Sequence, residues 1–428
     1  MKICYEYSLK WRYEFNHIKS GVVTFGEGKR VHCESMKERT WILGNDSVDE
    51  LYEYKNLGVV KNYIGSFSSN VDENVEKTRK KAGILFSSNF DRRKVNPLIY
   101  VKFWRQACLP SLLYGSELFS LTPTLLIKFE RCQQWFLKNV FYVPKFAPKQ
   151  LLLKLSGLNS TESEIALRKL LFLGRLITGD KMTQVVRDLF EIRTKSLFDT
   201  SIPSLGVLPS ICETLNKFDL FPYFDSWFCN SSFPTYRSWK SIVKRKIREF
   251  EDNAWLSFVR EHPNYIIAQS CLANLSPQKF WSISCQYPDL VCRLHVQIRL
   301  MGSLGLNGGI PWLSNTDGAL CFVCKRDTEN LDHFLFDCPA FHGHFESLWS
   351  NLSLKVLSCN PTDGKHIVGF LQNLDRDRKA MLLLGCLPLP FDSITASMII
   401  RFVASAVGKI YKIRTEKLRE LEAPWLSK

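Results

Sequence analysis

Three cysteines and one histidine near the C-terminal end have the spacing of a metal site. Two residues separate Cys321 from Cys324, eight separate Cys324 from His333, and four separate His333 from Cys338. A tight knuckle directs both thiolates of the first pair at one ion, and a helical turn and its end can direct the other two ligands. The set predicts a structural Zn²⁺ site, because four protein ligands leave no position for an activated water. The alternative is a group of buried free thiols.

Two other histidines, His342 and His344, lie just beyond the last cysteine and are alternatives for the fourth ligand. Cys338 is the better candidate, because soft thiolate ligands favour zinc. The 14 cysteines run from Cys4 to Cys386, and the N-terminus has no apolar run of signal-peptide length. We therefore expect most thiols to be reduced, and the protein to lie in the cytoplasm or nucleus rather than to be secreted.

Positive charge is the second chemical feature. The chain has 57 Lys and Arg against 42 Asp and Glu, a formal net charge of +15, which indicates a polyanionic partner. One stretch has nine bases and a single acid: Lys77, Arg79, Lys80, Lys81, Arg92, Arg93, Lys94, Lys102 and Arg105. We expect these bases to contact phosphates and the interleaved Trp104 to stack on a nucleobase. The alternative is a solvated helix face with Trp104 in the core.

A second basic cluster occupies one predicted helix and contains no acid: Arg237, Lys240, Lys244, Arg245, Lys246 and Arg248. Lys240, Lys244 and Arg248 recur at helical spacing on one face. Trp239 and Val243, with Ile247, recur on the adjacent face, so the segment is an amphipathic helix with a basic outside. Phosphate contact and ordinary solubility both remain open as its role.

The elements that must carry these residues are mostly helical. Apolar periodicity predicts helices over residues 72–86, 98–114, 122–140, 165–177, 238–259 and 394–422, with Pro110 kinking the second of them. A small β element is expected within the first 60 residues. Residues 194–236 are expected to be irregular, because four prolines interrupt them. Pro388, Pro390, Asp392 and Arg401 break the most apolar region, so no membrane span is expected.

Four segments, taken in order, resemble the C-terminal half of the reverse transcriptase of non-LTR (LINE-type) retrotransposons. The stretch 11–26, with Asn16, Lys19 and Ser20, looks like the family's motif D. The stretch 54–59 resembles the primer grip, and 109–117 is similar to the thumb helix. Residues 321–338, followed by Leu348 and Trp349, resemble the zinc-binding module in the tail of many such proteins.

The resemblance implies a mainly α protein with a small β element, made of five consecutive parts. These are the end of a polymerase palm (1–66), a helical thumb (67–150), a helical connector with the irregular segment (151–310), a CCHC zinc module (311–350) and a C-terminal helical tail (351–428). It implies that Lys19 is the remnant of a residue that protonates pyrophosphate. Gly58 would let the backbone approach a primer terminus, with Leu57 anchoring the turn. The basic helices would track a template and primer.

The departure from the family is equally informative. Its polymerases hold two divalent metals with palm carboxylates that include an Asp-Asp turn, and this chain has no Asp-Asp dipeptide. Mg²⁺ is therefore expected only for the intact polymerase. The chain looks like a truncated product that binds RNA or DNA, or both, mainly through phosphates, with no membrane partner. The alternatives are a fragment of an intact enzyme whose start is mis-assigned, a host nucleic-acid-binding protein derived from it, and a plain helical protein.

Overall fold

A computed structural model of the chain describes residues 2–16, 19–25, 41–87, 94–179, 184–197, 207–274, 287, 290–312 and 317–421. Over these residues the protein is mostly helical, with two small two-stranded sheets. The expectation of a mainly α protein with a small β element is therefore confirmed. Arg92 and Arg93 of the first basic cluster lie outside the described residues.

The helices of the first 230 residues are α1 (Lys2–Trp11), α2 (Ser68–Ser87), α3 (Pro97–Phe103), α4 (Leu109–Leu112), α5 (Pro123–Phe141), α6 (Lys149–Ser156), α7 (Thr161–Thr178), α8 (Gln184–Leu197), α9 (Val207–Lys217) and α10 (Phe221–Asn230). The later helices are α11 (Tyr236–Glu261), α12 (Ile266–Asn274), α13 (Val291–Met301), α14 (His342–Cys359), α15 (Gly364–Gln372), α16 (Arg376–Leu383) and α17 (Ser393–Glu420).

The chain divides into two compact units, each assembled from three stretches. The first unit contains Met1–Lys80, Pro110–Glu130 and Ile165–Val243. The second contains Lys81–Leu109, Arg131–Glu164 and Lys244–Lys428. The five consecutive parts expected from the resemblance stay a prediction, and the boundaries of the two units do not coincide with them.

Two hairpins form the β element of the first unit. Strand β1 (Trp41–Leu43) pairs with β2 (Asp46–Val48), and β3 (Glu53–Asn56) pairs with β4 (Val59–Asn62), both antiparallel. Leu57 and Gly58 form the two-residue turn of the second hairpin, with φ of 49° and 78°. Positive φ at both positions is what a twisted two-residue hairpin demands, and glycine adopts it without strain.

Prolines affect the helices less than the sequence indicates. The segment 194–236 is wrongly expected to be irregular, because its described part contains α9 and α10. Pro209 and Pro222 stand in the first turns of these helices, where a proline removes no intrahelical hydrogen bond. The helix expected to kink at Pro110 is not interrupted there, since α4 contains Pro110, but the turn before it is irregular. The turn at Trp104–Cys108 widens so that the Leu109 amide donates to the carbonyl of residue 104.

A tryptophan anchors the amphipathic helix α11 in the core of the first unit. Trp239 is buried, and its Nε1 donates to the Leu170 carbonyl at 2.7 Å. A side chain on Gly174 of α7 would meet the Trp239 ring at 2.3 Å, so the glycine makes room for the indole. Val243 and Ile247 are buried as well. The predicted apolar face of α11 is therefore confirmed.

The second unit is built around α17, which packs against α13, α14 and α16. Pro388 and Pro390 precede this helix, and Asp392 caps it by accepting from the Ile394 and Thr395 amides. Three of the four expected interruptions thus lie before the helix. By length and composition alone, α17 could cross a membrane. The buried core helix of a soluble protein meets the same two criteria. The absence of a membrane partner stays a prediction.

Candidate metal centre and basic surfaces

The four predicted ligands converge on one point in the second unit. The ligand atoms of Cys321, Cys324, His333 and Cys338 all lie within 4.8 Å of one another. Cys321 Sγ lies 3.9 Å from Cys338 Sγ, and Cys324 Sγ lies 3.3 Å from His333 Nε2. A tetrahedron with Zn–S near 2.3 Å and Zn–N near 2.05 Å has S–S edges of roughly 3.8 Å and S–N edges of roughly 3.6 Å. The cluster is therefore able to hold a metal ion.

Backbone turns bring the ligands together. The Cys321 amide donates to the Asp327 carbonyl at 2.8 Å, and the Lys325 amide donates back to the Cys321 carbonyl at 2.7 Å. Lys325 has a φ of 56°, which closes the knuckle around Cys324. On the other side, the Cys338 amide donates to the His333 carbonyl at 2.7 Å. Short-range bonds therefore place each pair.

Proton sharing links two of the ligands. A weak hydrogen bond joins the two thiols, either of which can donate, and it lowers the pKa of Cys338 while burial opposes it. The same bond, together with burial, raises the pKa of Cys321. A metal ion binds thiolates, so its binding would replace the shared proton. Asp327 Oδ2 lies 3.9 Å from His333 Nδ1, which is beyond hydrogen-bond distance, and this ring nitrogen has no hydrogen-bond partner among the described residues.

The two alternative histidines do not join the cluster. His342 and His344 are exposed on α14, and His342 Nε2 lies 3.2 Å from Glu346 Oε1 on the same helix. Among the described residues, the metal-ligating group contains Cys338 and neither of these histidines. The choice of Cys338 over them is borne out by the geometry.

A buried ion pair beside the cluster was not anticipated from the sequence. Glu329, in the loop between Cys324 and His333, and Arg414 of α17 are both 0% exposed. Arg414 Nε donates to Glu329 Oε1 at 2.7 Å, and Nη2 donates to Oε2 at 2.6 Å. The Asn307 amide also donates to Oε2, at 3.0 Å. This two-pronged bond ties the metal-binding loop to the central helix of the second unit.

A second cation holds the other side of the loop. Arg376 at the start of α16 is hydrogen-bonded to Asp337, and its Nε lies 3.7 Å from Asp332 Oδ1. Asp332 and Asp337 flank the stretch that carries His333. Arg376 and Asp337 are about half-exposed, so removing one partner of this pair costs less than removing one partner of the buried pair.

The described members of the first basic cluster reach solvent. Lys77, Arg79, Lys80 and Lys81 are exposed on α2, as are Lys94, Lys102 and Arg105 further on. Two of them pair with acids one turn earlier on α2, Lys77 with Glu73 at 2.8 Å and Lys80 with Glu76 at 2.6 Å. Arg105 donates to the Gly157 carbonyl. Solvent exposure is the condition for phosphate contact, and these residues meet it.

Trp104 cannot stack on a nucleobase, so its assignment as a nucleic-acid-binding residue is wrong. Its side chain is 0% exposed, and its ring lies 4.6 Å from the Phe136 ring, centroid to centroid. An aromatic residue among lysines and arginines predicts either a surface that stacks on nucleobases or a residue of the core. Apolar neighbours in the second unit bury Trp104. The alternative of a core residue holds.

The second basic cluster has the predicted orientation. Arg237, Lys240, Lys244, Arg245 and Arg248 are exposed on α11, and Lys246 is half-buried. Glu249 accepts from Arg245 at 3.3 Å and lies 3.9 Å from Lys246. Phosphate contact by this face stays a prediction.

Three of the segments that carry the resemblance contact one another in the first unit. Tyr54 Oη donates to the Lys19 carbonyl at 2.7 Å, and Tyr114 Oη donates to the Leu57 carbonyl at 2.7 Å. The Lys19 amide donates to Asn16 Oδ1 at 3.1 Å. These contacts join residues 35 and 57 positions apart.

The expected anchoring role of Leu57 is wrong. Its side chain is 85% exposed, and the turn is held through its backbone carbonyl instead. A side chain at Gly58 would lie 3.2 Å from the Tyr114 ring, so the glycine permits that approach.

Comparison of the chain with protein-family models, with curated proteins and with solved structures gives no match.

Proposed function

We propose that this chain is a nucleic-acid-binding protein derived from a non-LTR retrotransposon reverse transcriptase, with a structural Zn²⁺ and no polymerase activity. The observation that carries the proposal is the meeting of its motif-like segments. The hydroxyls of Tyr54 and Tyr114 reach the backbone of Lys19 and Leu57, so the motif D, primer-grip and thumb-like stretches form one junction. Such a junction is what a polymerase needs between palm and thumb.

The donor set supports zinc as the metal. Three thiolates and one imidazole at tetrahedral spacing suit Zn²⁺, and hard cations such as Mg²⁺ prefer oxygen ligands. Cys321, Cys324, His333 and Cys338 would fill all four positions, so the ion would stabilise the loop and take no part in catalysis. Its proposed role is to hold a compact surface near RNA or DNA in the cytoplasm or nucleus.

The lack of polymerase activity follows from the sequence. Phosphoryl transfer by such polymerases requires carboxylates that hold two Mg²⁺ ions around the attacking oxygen and the leaving group. The chain has no Asp-Asp dipeptide, so Lys19 would have no reacting phosphate to protonate. The basic residues at 77–105 and on α11 would then serve binding alone.

The experiment is fluorescence anisotropy of the full chain with a labelled 20-nucleotide RNA across a salt series. We expect binding at 50 mM salt that weakens steeply as salt rises, with a log–log slope of about −0.7 for each phosphate contacted. Absence of binding at low salt would overturn the proposal. A primer-extension assay with Mg²⁺ tests the second half, and template-dependent product would refute the loss of activity.

A further inference from the structure

A groove in the second unit collects positive charges that belong to neither basic cluster. It lies between α13 and α17 and has a cavity volume of about 590 Å³. Arg293 and Arg299 of α13 line one wall, and Lys412 and Arg419 of α17 line the other. Glu416 is the one acid among the lining residues of this groove, and it lies 3.6 Å from Lys412. The groove therefore carries a surplus of positive charge.

The two arginines of α13 are held in place by their surroundings. Arg299 donates to the Tyr142 carbonyl through Nε at 2.9 Å and through Nη2 at 2.6 Å. Arg293 lies across α17 at Gly408, where an added Cβ would come within 2.5 Å of Arg293 Cδ. Glycine weakens the interior of a helix. At this position it leaves the space that the Arg293 stem occupies.

The spacing of the cations fits a chain of phosphates better than a single phosphate. Lys412 and Arg419 are nearly two turns apart on α17, roughly 10 Å along the axis. Arg293 and Arg299 are separated by a similar length on α13. One strand of a nucleic acid presents a phosphate about every 3.4 Å of helix axis, so roughly 10 Å corresponds to about three phosphates. The charges thus extend along the groove.

We propose that this groove binds the phosphodiester backbone of a nucleic-acid strand. The inference rests on the proposed nucleic-acid-binding function and assigns it to a surface that neither basic cluster includes. Contact is through phosphates and is independent of sequence. Of the three aromatic residues that line the groove, His295 and Tyr411 are buried, and the half-buried Tyr142 ring packs edge-on against His295 at 5.4 Å between centroids.

The test is the anisotropy titration of the full chain with a 5′-labelled 20-nucleotide oligouridylate between 50 and 300 mM salt. The groove variant carries Arg293→Gln, Lys412→Gln and Arg419→Gln, and it leaves Arg299 intact because Arg299 holds the Tyr142 carbonyl. Losing three contacts should flatten the log–log slope by about 2 units, at about 0.7 each, and weaken binding roughly 100-fold at 0.1 M salt. Lys412→Gln with Arg419→Gln alone, both at exposed positions, should flatten it by about 1.4 units.

The matched control carries Lys355→Gln, Lys365→Gln and Lys409→Gln, which are exposed positions of the second unit outside the groove. It loses the same charge and should keep the wild-type slope. If groove and control variants lose the same slope, binding depends on overall charge and the groove proposal is overturned. If the wild type binds and the groove variant keeps its slope, the groove proposal fails while the proposed function stands.

Two further outcomes would overturn the strand proposal. No binding by the wild type at 50 mM salt would overturn the proposed function and the groove together. Displacement of the strand by micromolar uridine monophosphate would assign the groove to a mononucleotide and overturn the strand proposal. We expect uridine monophosphate at 1 mM to leave the strand bound, because one phosphate reaches only part of the groove.

Discussion

Replacing Glu329 by Gln tests whether the buried ion pair holds the metal-binding loop on α17. Glutamine keeps the size of the side chain and can still accept one hydrogen bond, but it removes the charge opposite Arg414. The guanidinium of Arg414 is 0% exposed, so no water replaces the lost carboxylate. Removing one partner of a buried pair costs about 3–5 kcal/mol, whereas an exposed pair contributes about 0–1 kcal/mol.

The magnitude translates into a local opening that hydrogen exchange measures. A loss of about 3 kcal/mol raises the open population more than 100-fold, at 1.36 kcal/mol for each tenfold change. Native-state exchange on the full chain, followed in peptides from 305–310 and 407–420, reports this opening directly. A local measurement is preferable to a melting curve, because a chain with two compact units need not unfold in one step.

Two variants make the result interpretable. Glu76→Gln removes the exposed partner of Lys80 on α2, whose carboxylate lies 2.6 Å from Lys80 Nζ. This control should change the rate of amide hydrogen exchange less than fivefold. Glu329→Gln combined with Arg414→Met removes both buried charges and should restore most of the protection. If exchange at 407–420 rises less than tenfold in Glu329→Gln alone, the ion pair does not hold the loop.

Three further predictions concern the metal, a buried lysine and the buried tryptophan. The purified chain should contain one zinc ion by elemental analysis, and Cys324→Ser should lower that content. Cys229→Ser, at an exposed cysteine outside the cluster, should leave the zinc content unchanged. Purified protein without metal would contradict the site. Burial lowers the pKa of Lys169 from 10.5 to about 8, so between these values the unfolded chain binds more protons. The free energy of unfolding should therefore rise by up to about 3 kcal/mol across that pH window, relative to Lys169→Met. If urea titrations give both proteins the same change in unfolding free energy with pH, this prediction is refuted. Trp104→Ala should cost about 3–5 kcal/mol of stability in denaturant unfolding, and a fall in RNA affinity at unchanged stability would contradict its core role.

The sequence alone was sufficient for features that depend on neighbours along the chain. The four metal ligands fall within 18 residues, and their spacing predicted the cluster because short turns bring such positions together. Helical periodicity likewise predicted α11 with Trp239 inside and Lys244 outside, because a 3.6-residue repeat assigns each side chain to a face. The irregular turn before Pro110 has a local cause as well, because proline has no amide proton for an intrahelical bond.

Tertiary structure decided the features whose partners are distant in sequence. Arg414 lies on the buried stripe of α17 between Tyr411 and Leu418, and the sequence could not show that it meets an acid there. Glu329 is 85 residues away, and only packing of α17 against the loop brings them together. Trp104 was ambiguous for the same reason, since an indole among lysines is equally suited to a core and to a nucleobase. Burial is a property of the assembled unit, because it depends on which distant side chains exclude water from a position.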